Sequence, residues 1–366
     1  MYDSVIIGGG LAGWAAAITL RAVGYDVLLL EKGRLPRHRV CGEYLSAEVL
    51  PLLDQWEVDL PVRPSVDRVQ LSSADGTVVE THLPLGGVGM SRYTLDGALY
   101  QRALDMGVVV RLETKVTAVQ QREEHYEIGT NAGDFVGRWV LGCDGKGQSS
   151  YQKNIDAEYV ESYVGFKQYY RLDFPENLVA LHAFKGGYGG AVLVDNGWVD
   201  VAYMLRQDVF SKYKNIELAE SKLLSGNPWM RRLLTDGKAM WDRPMAVANF
   251  QLGRKPWTEM QVSPAGDAAA MIPPASGNGM AMALWSGQLL GNNVIFALRN
   301  NSSREELVAN YQQSWEDNFG RRMWYGRQIH NVFQYPRMAN WAARLLRYWP
   351  GLLHPVIRAT HGQVKT

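Results

Sequence analysis

Cysteine is nearly absent from this chain. Its 366 residues hold two, Cys41 and Cys143, too few for a disulfide framework and in keeping with a reducing compartment. The cysteines and histidines show no metal-ligand spacing, so no metal is expected. Neither sign of charge is in excess: 38 Lys and Arg stand against 37 Asp and Glu, which gives nucleic acid no electrostatic foothold on the whole molecule. No apolar run is long enough to cross a bilayer, and no charged segment precedes an apolar one at the start. The expectation is therefore no membrane span, no signal peptide and a cytoplasmic location. Low-complexity tracts and internal repeats are missing too. What is left is a globular chain of ordinary apolar content, long enough for two intimately joined lobes.

The pattern of apolar residues sets the elements. Residues 4–7 form a short β-rich run, 11–23 an apolar-periodic helix ended by Gly24, and 26–30 a second apolar run: strand, turn, helix, strand. Strands are expected at 66–72 and 77–83, a helix at 94–106, a strand at 108–113 and a hairpin over 116–120 and 126–129. Residues 135–141 then return to the first sheet. From 160 to 205 the runs 164–174, 178–184, 190–194 and 199–205 are rich in aromatics and separated by Pro, Gly and Asn, as in an antiparallel sheet with one wet face. The glycine run 186–190 reads as a bend between strands. A helix is expected over 216–234 with a break at Pro228, strands at 245–252 and 260–264, and long helices at 280–298 and 304–334. An amphipathic helix follows at 338–359, interrupted at Pro350 and Pro355.

Gly8-Gly9-Gly10-Leu11-Ala12-Gly13 lies between the first strand and the first helix. Gly8 makes the tight turn, Gly10 lets backbone approach a pyrophosphate, and Gly13 lets the helix pack on the sheet. Leu11 and Ala12 open the helix, whose N–H groups face the phosphates. Glu31 closes the second strand, at the spacing expected of a carboxylate that accepts hydrogen bonds from a ribose. This fingerprint alone does not separate NAD from FAD.

Three further segments do. Pro264-Ala265-Gly266-Asp267-Ala268-Ala269 follows an apolar strand, and Pro273-Pro274-Ala275-Ser276-Gly277-Asn278-Gly279 leads into a helix at Met280. Val140-Leu141-Gly142-Cys143-Asp144-Gly145, with Ser149, lies in the middle of the chain. Ser91-Arg92-Tyr93-Thr94-Leu95-Asp96, with Leu99 and Ala103, opens a helix. Together and in this order they resemble the flavoprotein monooxygenase (aromatic-hydroxylase) and geranylgeranyl reductase superfamily. The resemblance implies an α/β fold: a Rossmann-like FAD-binding domain from 1–70, 92–155 and 258–300, interwoven with an antiparallel-sheet substrate domain of α+β type from 71–91 and 156–257. Residues 301–366 would form C-terminal helices. It also implies that Asp267 bonds the ribitol of FAD, beside Gly266, Pro274 and Gly277. Gly279 and Met280 would present helix N–H groups to the pyrimidine edge, where reduced flavin carries negative charge. Asp144 and Gly145 would lie near the pyrophosphate, with Arg92 on the cofactor. For Arg92 the plain alternative is a solvated charge.

The loop Pro36-Arg37-His38-Arg39-Val40-Cys41-Gly42-Glu43-Tyr44-Leu45-Ser46 carries a Cys-Gly pair resembling the one that geranylgeranyl reductases set against the flavin. Lys32 and Arg39 are taken as cofactor contacts. Cys41 and Glu43 are the catalytic candidates, Glu43 because an apolar pocket raises a carboxyl's pKa into the range of an acid or base; a small buried Cys is the alternative for Cys41. The reductases' Y-x-W-x-F-P motif survives only as Tyr188, and the halogenases' W-x-W-x-I-P motif is missing. The expected activity is therefore an FAD monooxygenase acting with O2 on an apolar, aromatic or polyketide-derived molecule. Reduction of double bonds in a lipid-like substrate and halogenation follow as alternatives. No second dinucleotide-binding unit is present, so NAD(P)H would dock transiently. Phe166, Tyr188 and Tyr203 are the expected substrate contacts, against the alternative that alternating aromatics are simply core. After Asp317 the chain has no Asp or Glu but carries Arg321, Arg322, Arg327, Arg337, Arg344, Arg347, Arg358 and Lys365 among Trp324, Trp341 and Trp349. Such a tail either packs across the lobes or touches a membrane peripherally.

Overall fold

A strand covered on both faces must be apolar throughout, and Val27–Leu30 is buried at every position. It runs parallel to Tyr2–Ile7, with Ser4 opposite Val27 and Ile7 opposite Leu30. Gly133–Gly142 joins in parallel on the other side of Tyr2–Ile7, Val109–Arg111 lies outside Val27–Leu30, and Ser263–Pro264 runs parallel to Gly133–Gly142. The computed structural model describes residues 1–146, 151, 161–213, 215–257 and 262–362. Among these, this sheet has seven strands, completed by the hairpin Val116–Gln121 and Tyr126–Thr130. The parallel strands all end on one edge. The turns beginning at Gly8, Glu31, Cys143 and Ala265 therefore emerge side by side, where open α/β sheets bind ligands. Ser149, Lys365 and the expected lobe boundaries at 155 and 258 lie outside the described residues, as does the first part of the strand expected at 260–264.

The first helix, Leu11–Arg21, is buried over its first ten residues because a second helix, Gly279–Asn300, crosses it at contact distance. A β-carbon on Gly287 would sit 2.1 Å from the Ala12 carbonyl oxygen, so the crossing requires glycine there.

The second lobe is a mostly antiparallel sheet. Its order runs from Lys238–Ala239 through Ser162–Arg171, Val199–Arg206, Gly187–Leu193, Leu178–Phe184, Ser65–Ser72 and Val78–Gly89 to Tyr44–Ser46; Met245–Gln251 also pairs with Ser162–Arg171. Tyr44–Ser46 and Ser65–Ser72 thus belong to this sheet, although residues 1–70 were expected in the first lobe. A short apolar run pairs wherever an edge is offered, and the edge here is Val78–Gly89.

Local expectations fail in four places. The glycine run bends only at Gly186, φ 85°, between Leu178–Phe184 and Gly187–Leu193; the latter is a central strand whose glycines admit neighbours, since a β-carbon on Gly187 would meet the Met204 carbonyl oxygen at 2.0 Å. The break in 216–234 falls before Pro228, which starts the helix Pro228–Thr235 behind its cap Asn227. The long helix from Arg304 is relieved by a π-helical turn, Glu316–Gly320, before continuing as Arg321–Gln334. Pro350 ends Pro336–Tyr348 as expected, but Pro355 sits in the first turn of Leu353–Thr360, where a missing N–H costs nothing.

Candidate functional site

The four motif loops meet in one cavity of about 890 Å³. Its walls include Gly8, Gly10, Leu11 and Ala12 from the first turn, Glu31 and Lys32 from the second, and Asp144 and Gly145 from the third. Gly266, Asp267, Pro274, Gly277, Gly279 and Met280 come from the fourth. Gly13 is not on the wall. It lies under the helix, where a β-carbon would meet the Gly8 carbonyl oxygen at 2.0 Å. Gly8 has φ 109°, the left-handed region open to glycine, and Gly10 has open space around its missing β-carbon.

Two helices begin at this cavity, Leu11–Arg21 and Gly279–Asn300, and neither carries a side-chain cap. Their first N–H groups lack helical partners, and both positive dipole ends are directed at the same space. Glu31 is organised for a diol: its Oε2 accepts from the Gly9 N–H at 2.9 Å, and its Oε1 accepts from Gly33 N–H and Arg37 Nη2, both at 2.8 Å. Oε2 retains a lone pair for a ribose hydroxyl. Arg39 donates to the Gly9 carbonyl at 2.9 Å and lies 3.3 Å from Asp96. An open glycine cradle, two uncapped helix starts and a buried acid fit the adenosine diphosphate part of FAD, and the Gly277–Met280 turn fits its ring. Loaded with the cofactor, these residues would hold it, and FAD would supply electron and hydride transfer.

Arg92 reaches the cavity wall, yet its guanidinium is turned to Asp96: Nε and Nη2 donate to the two carboxylate oxygens at 3.1 Å each. Cys41 is partly exposed on the same wall, and its sulfur interacts with Arg92. Glu43 touches the wall but is almost wholly buried and held at φ 47°. Its Oε1 accepts from the Arg92 N–H at 2.7 Å and faces Lys167 Nζ at 2.5 Å; its Oε2 accepts from the Tyr169 hydroxyl at 2.6 Å. On the far side of Lys167, Asp200 Oδ1 lies 3.4 Å from Nζ, an ion pair rather than a hydrogen bond. Two buried carboxylates thus share one buried ammonium. Burial pushes the Asp200 carboxyl well above its ordinary range and raises Glu43 against the pull of Lys167. Lys167 and Asp200 were missed in the sequence. Lys167 lies inside an aromatic run, and a lysine with no exposure there is the signal that an acid must lie across the sheet.

Phe166, Tyr188 and Tyr203 do line the cavity, and each is also core. Phe166 packs on Tyr203 at 5.3 Å, and the Tyr188 hydroxyl accepts from the Ala275 N–H at 2.9 Å, tying the second sheet to the loop that leads into Gly279–Asn300. Tyr169 and Phe184 are not on the wall. Beyond the aromatics the wall is aliphatic, from Val69, Leu71, Val79 and Leu83 of the sheet to Leu346, Leu353 and Ile357 of the last helices. No group of residues suited to hold a metal ion occurs among the described residues.

Comparison with known proteins bears on the fold and not on the individual site residues. Residues 6–63 match the model of the NAD(P)-binding Rossmann-like domain. Over 157 residues the chain is 29% identical to the dialkyldecalin synthase of Streptomyces rugosporus, a match covering 40% of this chain and 33% of that protein. The match therefore spans about a third of that relative's length. It is 22% identical over 355 residues to digeranylgeranylglycerophospholipid reductase 2 of Methanopyrus kandleri, covering 91% of this chain and 86% of the relative. In fold it is similar to the flavin-dependent brominase Bmp2, with a TM-score of 0.80 at 18% identity over 98% of this chain and 93% of that one.

Proposed function

We propose that this chain, which belongs to the superfamily of FAD-dependent oxidoreductases, is a monooxygenase that uses NAD(P)H and O2 on an elongated apolar small molecule. The observation that carries this reading is the continuity of the cavity. It runs from the glycine cradle past Cys41 and Glu43 into an aliphatic end, so a substrate and the flavin ring would share one water-poor space. Exclusion of water protects reactive oxygen species from collapse to hydrogen peroxide. The chain's own contribution is placement. Tyr188 and the Gly277–Met280 turn fix one wall, Phe166 and Tyr203 shape the middle, and Glu43 holds the cysteine loop by accepting from Arg92 and Tyr169. The aliphatic lining moves the expected substrate from a flat ring towards a chain-like or polycyclic aliphatic skeleton.

Reduction of a double bond in a lipid-like molecule is the second reading. Two observations favour it: Cys41 on the wall beside Arg92, and similarity over nine-tenths of the chain to a prenyl-lipid reductase. Halogenation has less support, because the halogenases' W-x-W-x-I-P motif is missing from the chain.

One experiment separates them. FAD-loaded protein is given NADPH with long-chain prenyl alcohols and substituted phenols, under 18O2 and then without oxygen. Label in the product supports oxygenation. A product that gains two hydrogens in the absence of oxygen establishes reduction. Substrate-independent NADPH oxidation alone, with no product in either arm, overturns both.

A further inference from the structure

The last helices are two-faced. At 100° per residue, Ala339, Ala342, Ala343 and Leu346 of Pro336–Tyr348 form a stripe along the cavity wall, while Arg337, Trp341, Arg344 and Tyr348 point the opposite way and Met338 lies on the flank. The large apolar residues on and beside this outer side are exposed: Met338 by 49%, Trp341 by 69%, Tyr348 by 77% and Trp349 by 60%. A soluble surface seldom gathers so many large rings in so short a span. The segment's own charge is of one sign, since residues 318–366 contain no Asp or Glu. Arg344 is paired with Asp75 from the substrate sheet at 3.1 Å, but Arg337, Arg347 and Arg358 form no ion pair among the described residues. The patch also meets the cavity. Leu352, in the turn between the two helices, belongs to the cavity wall and is 53% exposed, so the aliphatic end reaches the surface beside Trp349.

We infer that this face docks on an anionic lipid bilayer and that the aliphatic end of the cavity opens there to take an apolar substrate from the membrane. Tryptophan and tyrosine favour the headgroup level, and unpaired arginines meet anionic lipid. The surface lies in the plane of the membrane: no helix among the described residues is long and apolar enough to cross one. An acidic protein or a second copy of the chain would answer some of the same features. Neither accounts for a lipophilic cavity that surfaces within the patch. The inference stands whichever reaction the flavin performs.

Flotation of the full, FAD-loaded chain tests it, with vesicles of phosphatidylcholine alone and with roughly a third phosphatidylglycerol. The protein floats with the anionic vesicles at low salt and is released at high salt. Arg337→Glu and Arg347→Glu each weaken binding by about fivefold or more, from the roughly 1 kcal/mol that each cation contributes near such a surface. Trp341→Ser with Trp349→Ser abolishes flotation while the protein keeps its FAD and its thermal melt, because these rings are already in water. Absence of flotation at low salt, or equal flotation of all variants, overturns the inference. So does a concentration-dependent dimer in sedimentation that the tryptophan variants dissociate, which makes the patch a contact between copies.

Discussion

Glu43 Oε1 and Lys167 Nζ lie 2.5 Å apart with neither side chain exposed, 124 positions apart in the chain, at the point where the cysteine loop crosses the second sheet. Asp200 faces the same ammonium from the neighbouring strand. One cation for two buried acids leaves an excess negative charge, and burial pushes Asp200, whose oxygens accept no hydrogen bond, the more strongly towards its neutral form.

This arrangement predicts opposite outcomes for its members. Lys167→Met leaves two acids without a cation and should cost about 3–5 kcal/mol, measured by urea unfolding. Asp200→Asn keeps the neutral form and should be tolerated. A carboxyl with a raised folded pKa binds its proton more tightly folded than unfolded, so its contribution is lost as pH rises through the folded value. Asp200→Asn should therefore gain stability relative to the parent as pH rises above the ordinary carboxylate range. A parallel pH dependence of the two proteins would show that Asp200 is not the group that titrates.

Gly10 and Gly13 should separate ligand binding from folding. Gly10→Val places a side chain in open space, so the protein should fold and melt normally yet emerge colourless, having lost FAD. Gly13→Ala must displace the Gly8 carbonyl and should lower the melting temperature even without cofactor. Yellow Gly10→Val protein, read by absorbance, would remove the pyrophosphate from this loop.

Cys41→Ala deletes one sulfur from a partly exposed position, so stability and FAD content should change little. Stopped-flow reduction by NADPH or reoxidation by O2 should slow by tenfold or more if the thiol and Arg92 act on the reacting molecules. Equal rates in both halves would leave Cys41 as a small filler of the loop.

Stability should also fall on mild acidification. His182, bonded to Ser72 at 2.8 Å and stacked on Trp229, is pushed down to about 3 by burial, and His330 beside Tyr163 to about 4. Below about 6.5 the unfolded chain binds protons that the folded one refuses, so stability declines as pH drops from there towards 4. Each histidine contributes about 2 kcal/mol of that loss by pH 5. His182→Gln should shallow the slope of melting temperature against pH, and an unchanged slope would show that this ring takes up no proton on unfolding.

The cofactor half of the molecule was legible in the sequence because its chemistry is local. A turn, a helix start and an acid at the end of the next strand are consecutive, and backbone sterics decide them; Gly8, Gly10, Glu31, Asp144 and Asp267 all reach one cavity. The aromatic runs also announced a second sheet. What the linear pattern does not contain is which strand lies beside which. Strand order placed Tyr44–Ser46 in the second sheet, drew Gly187–Leu193 out of an apparent bend, and brought Lys167 between Glu43 and Asp200. The pairing of Arg92 with Asp96, by contrast, is local, an i,i+4 contact on one helix. The roof was again decided by packing: an amphipathic tail has two faces by its period alone, but only the tertiary fold determines that one covers an apolar cavity and the other is left to water, because burial depends on what the rest of the chain presents to it.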